Sequence, residues 1–127
     1  MMTKPDASGL KKLINSTVYS WRGLRATWRN EEAFRLELSL ALLFMPLAAL
    51  VGDGLVHQLL LVLICGLVIL AELINTAIES VVDRIGPELH PLSGQAKDIG
   101  SAIVFITLCL FLLLWGPSLW HFYKSMS

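Results

Sequence analysis

Leu59-Leu-Leu-Val-Leu-Ile-Cys-Gly-Leu-Val-Ile-Leu-Ala71 runs directly into Glu72-Leu-Ile-Asn75-Thr-Ala-Ile-Glu79-Ser-Val-Val-Asp83. The first part is thirteen apolar residues without interruption and reads as the interior of a membrane span. The second part carries Glu72, Asn75, Glu79 and Asp83 at steps of 3, 4 and 4. At about 100° per residue those steps put all four on one helical stripe, within roughly 80° of arc. A carboxylate inside a bilayer is costly, so it faces protein or water and marks a functional site by default.

Extended to its natural limits, Leu55 to about Ile85, this helix would measure roughly 45 Å against a hydrocarbon core of ~30 Å. Its carboxylate end therefore emerges into the interface, with Glu72 deepest and Asp83 most solvated. Before it, Gly52-Asp53-Gly54 is a tight turn, and a first span covers residues 33–51, with Pro46 able to kink it. Arg35 and Glu37 lie near the start of that span, at headgroup depth. After the long helix, Gly86-Pro87 stops the chain, Glu88 to Ser93 forms a loop, and a third span runs from about Gly94 to Trp120. Trp115, Trp120 and Tyr123 read as an aromatic belt at its far end.

Upstream, Leu10, Leu13, Ile14, Thr17, Val18, Trp21, Leu24 and Trp28 form one helical stripe over residues 9–29. Lys11, Lys12, Arg22, Arg25 and Arg29 occupy the other side. That division suits a helix lying in the membrane interface; a helix packed on a soluble core would have no such core elsewhere in the chain to cover. Residues 1–8 read as a frayed tail. The fold expected is all-α: three transmembrane helices and an N-terminal amphipathic surface helix in a single membrane-embedded domain.

Composition agrees. Of 127 residues 55% are hydrophobic, and the net charge is zero, so no bulk field draws the chain to nucleic acid. Seven of the ten Lys and Arg lie between Lys4 and Arg35. Arg84 and Lys97 flank the second loop, and the first loop has none. The positive-inside rule then places the N-terminus and the carboxylate cluster in the cytoplasm and the first loop and C-terminus outside. Cys65 and Cys109 both sit in apolar runs and read as free thiols buried in helix packing.

There is no phosphate-binding glycine loop, no dinucleotide fingerprint and no zinc-ligand spacing. His57, His90 and His121 are scattered. What remains gathers at one depth: Glu31, Glu32, Glu72, Asn75, Glu79, Asp83, Glu88, Lys97 and Asp98. Carboxylate oxygens suit Mg²⁺, which keeps waters and prefers phosphate co-ligands. A lysine beside them can neutralise phosphate charge. A carboxylate in an apolar setting is a stronger base than in water. These parts fit phosphoryl transfer to a lipid hydroxyl at the interface. A polar network that fixes helix packing, or an ion or proton pathway along the Glu72/Glu79 stripe, would use the same residues.

The stretch Glu72 to Asp83 resembles the signature of the prokaryotic integral-membrane diacylglycerol kinases. The resemblance extends through Tyr19-Ser-Trp-Arg-Gly-Leu-Arg-Ala-Thr-Trp-Arg-Asn-Glu-Glu-Ala-Phe-Arg35 and His90-Pro-Leu-Ser-Gly-Gln-Ala-Lys97-Asp98-Ile-Gly-Ser101, in the same order and spacing. It implies a homotrimer of the bacterial inner membrane that uses Mg-ATP to phosphorylate diacylglycerol. On this resemblance Glu72 is the general base, and Glu31 and Glu79 hold Mg²⁺ against the ATP phosphates. Lys12, Tyr19, Glu88, His90, Lys97 and Asp98 contact ATP. Ser20, Trp21, Arg25 and Ser101 bind the lipid with Glu72, and Asn75 supports the carboxylates. Three positions depart from the family pattern: Lys12 stands for an arginine, Glu32 for a small residue and Leu36 for a polar one. A related bacterial branch phosphorylates undecaprenol, which makes that lipid the nearest alternative substrate.

Overall fold

Each apolar run ends where the chain supplies a reason to stop, and the four helices follow. A computed structural model describes residues 8–127, so nearly all of the expected N-terminal tail, residues 1–7, lies outside the described residues. The helices are α1 (Leu10–Asn30), α2 (Glu32–Val51), α3 (Leu55–Ile85) and α4 (Pro91–Met126). Among the described residues there is no strand. By length and hydropathy α2, α3 and α4 can each cross a membrane.

α3 is the centre, with α4 packed along one side and α2 along the other. α1 packs against α2. Its apolar stripe stays uncovered: Leu10, Leu13, Trp21 and Trp28 are all exposed, and only Thr27 is buried. That is the pattern of a helix whose apolar side is left for lipid.

The core lies towards the α2–α3 turn. Ala41 and Ala48 on α2 let that helix approach Leu61, Ile64 and Cys65 of α3, as small residues do where no hydrophobic effect drives helices together. Trp115 closes the cluster from α4. It is 1% exposed, stacks on Phe111 at 5.9 Å and meets Phe44 edge-on at 4.9 Å. Its indole N–H donates to the Leu61 carbonyl at 3.3 Å. Trp115 therefore belongs to the core and not to the interfacial belt expected for it. Trp120 and Tyr123 remain exposed, stacked at 6.0 Å, with Lys124 over the Trp120 ring. Cys65 is buried as expected, but Cys109 faces outward.

The turn between α2 and α3 is pinned by side chains. Gly54 takes φ +92°, a conformation that favours glycine. The Asp53 N–H donates to His57 Nδ1 at 2.7 Å. Ser118 spends its hydroxyl hydrogen on the Leu114 carbonyl at 2.6 Å, so His57 Nε2–H donates to Ser118 Oγ at 2.8 Å. That chain ties the turn to α4 across 61 residues of sequence.

α4 starts at Pro91, ahead of the expected Gly94, and continues to Met126, past the expected Trp120. Proline fits the first helical position, where its missing N–H is no loss. His90 caps that end, Nδ1 accepting from the Leu92 N–H at 3.0 Å. α2 continues through Pro46 to Val51.

Candidate functional site

At the end away from the Trp115 cluster, α1 becomes α2 across a single residue. Glu31 has extended backbone angles (φ −119°, ψ 110°) yet serves both helices. Its N–H donates to the Thr27 carbonyl at 2.9 Å, and its carbonyl accepts from the Arg35 N–H at 3.3 Å. The last carbonyls of a helix lack partners of their own. Arg35 supplies one: its Nη1 donates to the Trp28 carbonyl at 2.7 Å and the Arg29 carbonyl at 3.3 Å.

That elbow sets Glu31 within electrostatic reach of Glu72, and Glu79 acts on Glu72 from further along α3. Glu72 is 5% exposed, which makes it the one buried charged side chain among the described residues. Asn75 Nδ2 donates to Glu79 Oε1 at 2.8 Å and so holds that carboxylate in place. Asp83 is solvent-exposed, as expected, and pairs with Lys97 of α4 at 2.7 Å. Glu31 and Glu79 form no ion pair among the described residues. Nor does any group of three His, Cys, Asp or Glu side chains among them form a metal cage. The carboxylate oxygens of Glu31 and Glu79 are the donor type that Mg²⁺ takes, with water and phosphate completing its shell.

Glycine lets α4 approach this stripe. Gly100 is buried, and a methyl there would overlap Asn75 Oδ1. Gly100→Ala is therefore expected to push the Asn75 amide aside, break its bond to Glu79 and cost about 1–3 kcal/mol, the range for overpacking. A thermal denaturation midpoint unchanged from the parent would contradict this.

The structure sorts the expected ligand residues into groups. Glu88, His90 and Lys97 share a cleft with Asp83 at the α3–α4 loop. Asp98 is exposed beside it on α4. Trp21 and Arg25 line a separate, largely apolar cavity with Leu24, Trp28, Phe34 and Leu38. Ser20 and Ser101 do not line that cavity; Ser20 instead donates to the Ser16 carbonyl at 2.9 Å. Lys12 and Tyr19 are exposed on α1, with the Arg22 guanidinium over the Tyr19 ring at 5.7 Å.

Sequence reasoning passed over Glu37. It stands on α2 with Oε2 buried and without a hydrogen-bond partner among the described residues. The signal was present, since a carboxylate in the apolar run of a span deserves the same suspicion wherever it falls. Arg35 was also seen only as an interfacial charge, whereas it fastens the elbow.

Comparison with known proteins adds to this arrangement. The family model for prokaryotic diacylglycerol kinase matches residues 18–119. That range takes in Glu31, Glu72, Glu79 and Lys97 but not Lys12. The chain is 50% identical to a diacylglycerol kinase of Haemophilus influenzae over 109 residues, 86% of this chain and 92% of that protein. It is 44% identical to a diacylglycerol kinase of Escherichia coli over 118 residues, 92% of this chain and 97% of that one. A diacylglycerol kinase of Pseudomonas aeruginosa is 40% identical over 112 residues, 88% of this chain and 91% of that protein.

Proposed function

This chain belongs to the prokaryotic diacylglycerol kinase family, and from that premise we propose the reaction it performs and the residues that perform it. It transfers the γ-phosphoryl group of ATP to the free hydroxyl of diacylglycerol, giving phosphatidic acid and ADP. The observation that carries this reading is the buried Glu72 carboxyl set on one helix stripe with the Asn75–Glu79 pair, with Lys97 reaching the same stripe from α4.

Glu72 takes the proton of the lipid hydroxyl as the new O–P bond forms and the bond to the ADP oxygen breaks. Its depth suits a substrate whose hydroxyl arrives from the membrane side. Glu31 and Glu79 would hold Mg²⁺, which when bound neutralises charge on the ATP phosphates. Asn75 keeps Glu79 aimed. Lys97 meets the phosphates from the loop cleft with Asp98, and Glu88 and His90 line the side where the base rests. Lys12 and Tyr19 approach from α1. Trp21 and Arg25 hold the lipid glycerol and acyl region beneath α1, and Ser20 and Ser101 would meet the lipid outside that cavity. Direct in-line transfer needs no phosphoenzyme.

One chain offers little enclosure, because α4 leaves most of its surface uncovered. A homotrimer in the bacterial inner membrane would complete the site, with N-terminus and nucleotide on the cytoplasmic side and the C-terminus in the periplasm.

The reaction is tested by ³²P transfer from Mg-ATP in mixed micelles offering diacylglycerol and undecaprenol together. Label on diacylglycerol is expected. Label chiefly on undecaprenol would change the substrate and keep the chemistry. Label on neither, with ion flux in liposomes, would replace the kinase with a transporter, a reading the family match does not favour.

Glu79→Gln tests the metal assignment. The apparent KM for Mg-ATP is expected to rise at least about ten-fold, since even outer-shell partners of a metal are worth 10–100-fold in affinity. The KM for diacylglycerol should barely move. Unchanged dependence on both Mg²⁺ and ATP would remove Glu79 from the metal site.

A further inference from the structure

α1 ends without the residue that most often closes a helix. The residue after its last turn is Glu31, in extended backbone. The glycines with positive φ among the described residues are Gly9, Gly54 and Gly86, and none stands at this elbow. The carbonyls that a glycine cap would satisfy are met instead by a side chain of the next helix. Arg35, one turn into α2, sends Nη1 to the Trp28 carbonyl at 2.7 Å and to the Arg29 carbonyl at 3.3 Å. Among the described residues no carboxylate pairs with its guanidinium. Trp28 on α1 and Phe34 on α2 line one cavity, and Phe34 is fully buried.

Glu31 is the only residue between the two helices. A one-residue connection has no slack, so the direction in which Glu31 sends its carboxylate depends on the angle at which α1 meets α2. The Arg35 cap fastens that angle, since it reaches from α2 onto the last turn of α1. A ligand carboxylate that is misaimed binds its cation less well, and the groups that orient such ligands matter nearly as much as the ligands. Charge alone would act the other way. A guanidinium near a cation repels it, so by field alone its removal would tighten cation binding. Positioning predicts that its removal weakens binding, and the sign tells the two apart.

We infer that Arg35 is the positioning residue for Glu31: by capping α1 from α2 it holds the Glu31 carboxylate where a divalent cation on the ATP phosphates would meet it. The inference rests on the reading of Glu31 as a metal ligand, and the test separates the two. The full-length protein in mixed micelles is titrated with Mn²⁺, a paramagnetic substitute for Mg²⁺, together with a non-hydrolysable ATP analogue. Free Mn²⁺ is read by electron paramagnetic resonance. The proteins are the parent, Arg35→Met, Glu31→Gln and the double variant.

Each single variant is expected to weaken Mn²⁺ binding about ten-fold or more, the effect of losing a metal's ligand or its support. The double variant should match Glu31→Gln within about two-fold, because a residue acting through Glu31 has nothing left to act on. In the transfer assay with Arg35→Met, the Mg²⁺ concentration for half-maximal rate should rise in step, with the KM for diacylglycerol little changed. Parental or tighter Mn²⁺ binding in Arg35→Met, beside weakened binding in Glu31→Gln, would discard Arg35 and keep Glu31 as ligand. Additive losses in the double variant would also overturn the inference, since Arg35 would then act elsewhere. So would a KM for diacylglycerol that rises as much as the Mg²⁺ requirement, which would make Arg35 a lipid contact. If Arg35→Met does not fold, Arg35→Gln takes its place in the same comparison, because its shorter amide cannot reach the α1 carbonyls. Parental Mn²⁺ binding in Glu31→Gln would remove the metal reading itself, and the inference with it.

Discussion

Glu72→Gln is expected to lose about 10²–10⁴-fold in turnover, the span that general-base catalysis contributes. The substitution keeps the shape of the side chain. The amide has nearly the shape of the carboxylate, so packing at this buried position survives. What disappears is an oxygen basic enough to take the lipid proton. ATP binding should persist, because the nucleotide-facing residues, Glu88, His90 and Lys97, line a different cleft. The measurements are single-turnover transfer to diacylglycerol and equilibrium binding of Mg-ATP by the same preparation. Loss of transfer with binding retained is the expected pair. Joint loss of both would place Glu72 in nucleotide binding instead of proton transfer.

The second large effect is on stability. Trp115→Ala should cost about 3–5 kcal/mol, the range for deleting a large buried aromatic. Trp115 touches all three membrane helices at once: Phe44 on α2, the Leu61 carbonyl on α3 and Phe111 on its own α4. Lipid chains are as apolar as leucine, so packing contacts must hold such helices together. Removing this side chain leaves a void that Ala41, Ala48 and Cys65 cannot fill by small shifts. Trp115→Phe separates the contributions in part: it keeps a six-membered ring and loses the N–H bond, worth about 1 kcal/mol, together with the packing of the second ring. Unfolding in a detergent titration should show alanine far below phenylalanine. Similar values for the two would mean that the indole's N–H-bearing part, and not a phenyl-sized ring in the core, carries the effect.

The helices were legible because each physical signal was local. Apolar length marks the spans, glycine and proline mark their ends, and the 3.6-residue period of Leu10 to Trp28 marks α1. The stripe from Glu72 to Asp83 was legible for the same reason, since helical geometry converts spacing directly into a face. What failed were statements about partners across the bundle. Trp115 has the composition of a belt residue, and only the positions of Phe44 and Leu61 reveal that it is enclosed. Asp83 is exposed as its place on the stripe suggests, and only the position of Lys97 reveals its ion pair. Nothing in the sequence says that α2 turns Glu37 so that Oε2 is enclosed. The start of α4 moved for a subtler reason: Pro91 was read as a loop residue, yet proline is equally suited to begin a helix, and His90 supplied the cap.

The elbow at Glu31 has a mechanical consequence. α1 has 21 residues, so at 1.5 Å per residue it is a rod about 30 Å long. It is joined to the membrane-crossing part through one extended residue. A change of only ~10° in the torsions of that residue would carry the far tip about 5 Å for a rod of that length. Lys12 and Tyr19 ride on the long arm, while the Glu31 carboxylate sits at the fulcrum. Arg35 acts as the friction in the joint, gripping the Trp28 and Arg29 carbonyls. A lever hinged at Glu31 cannot swing without reorienting the bond from which the Glu31 side chain departs, so the tilt of the arm and the placement of that carboxylate are coupled.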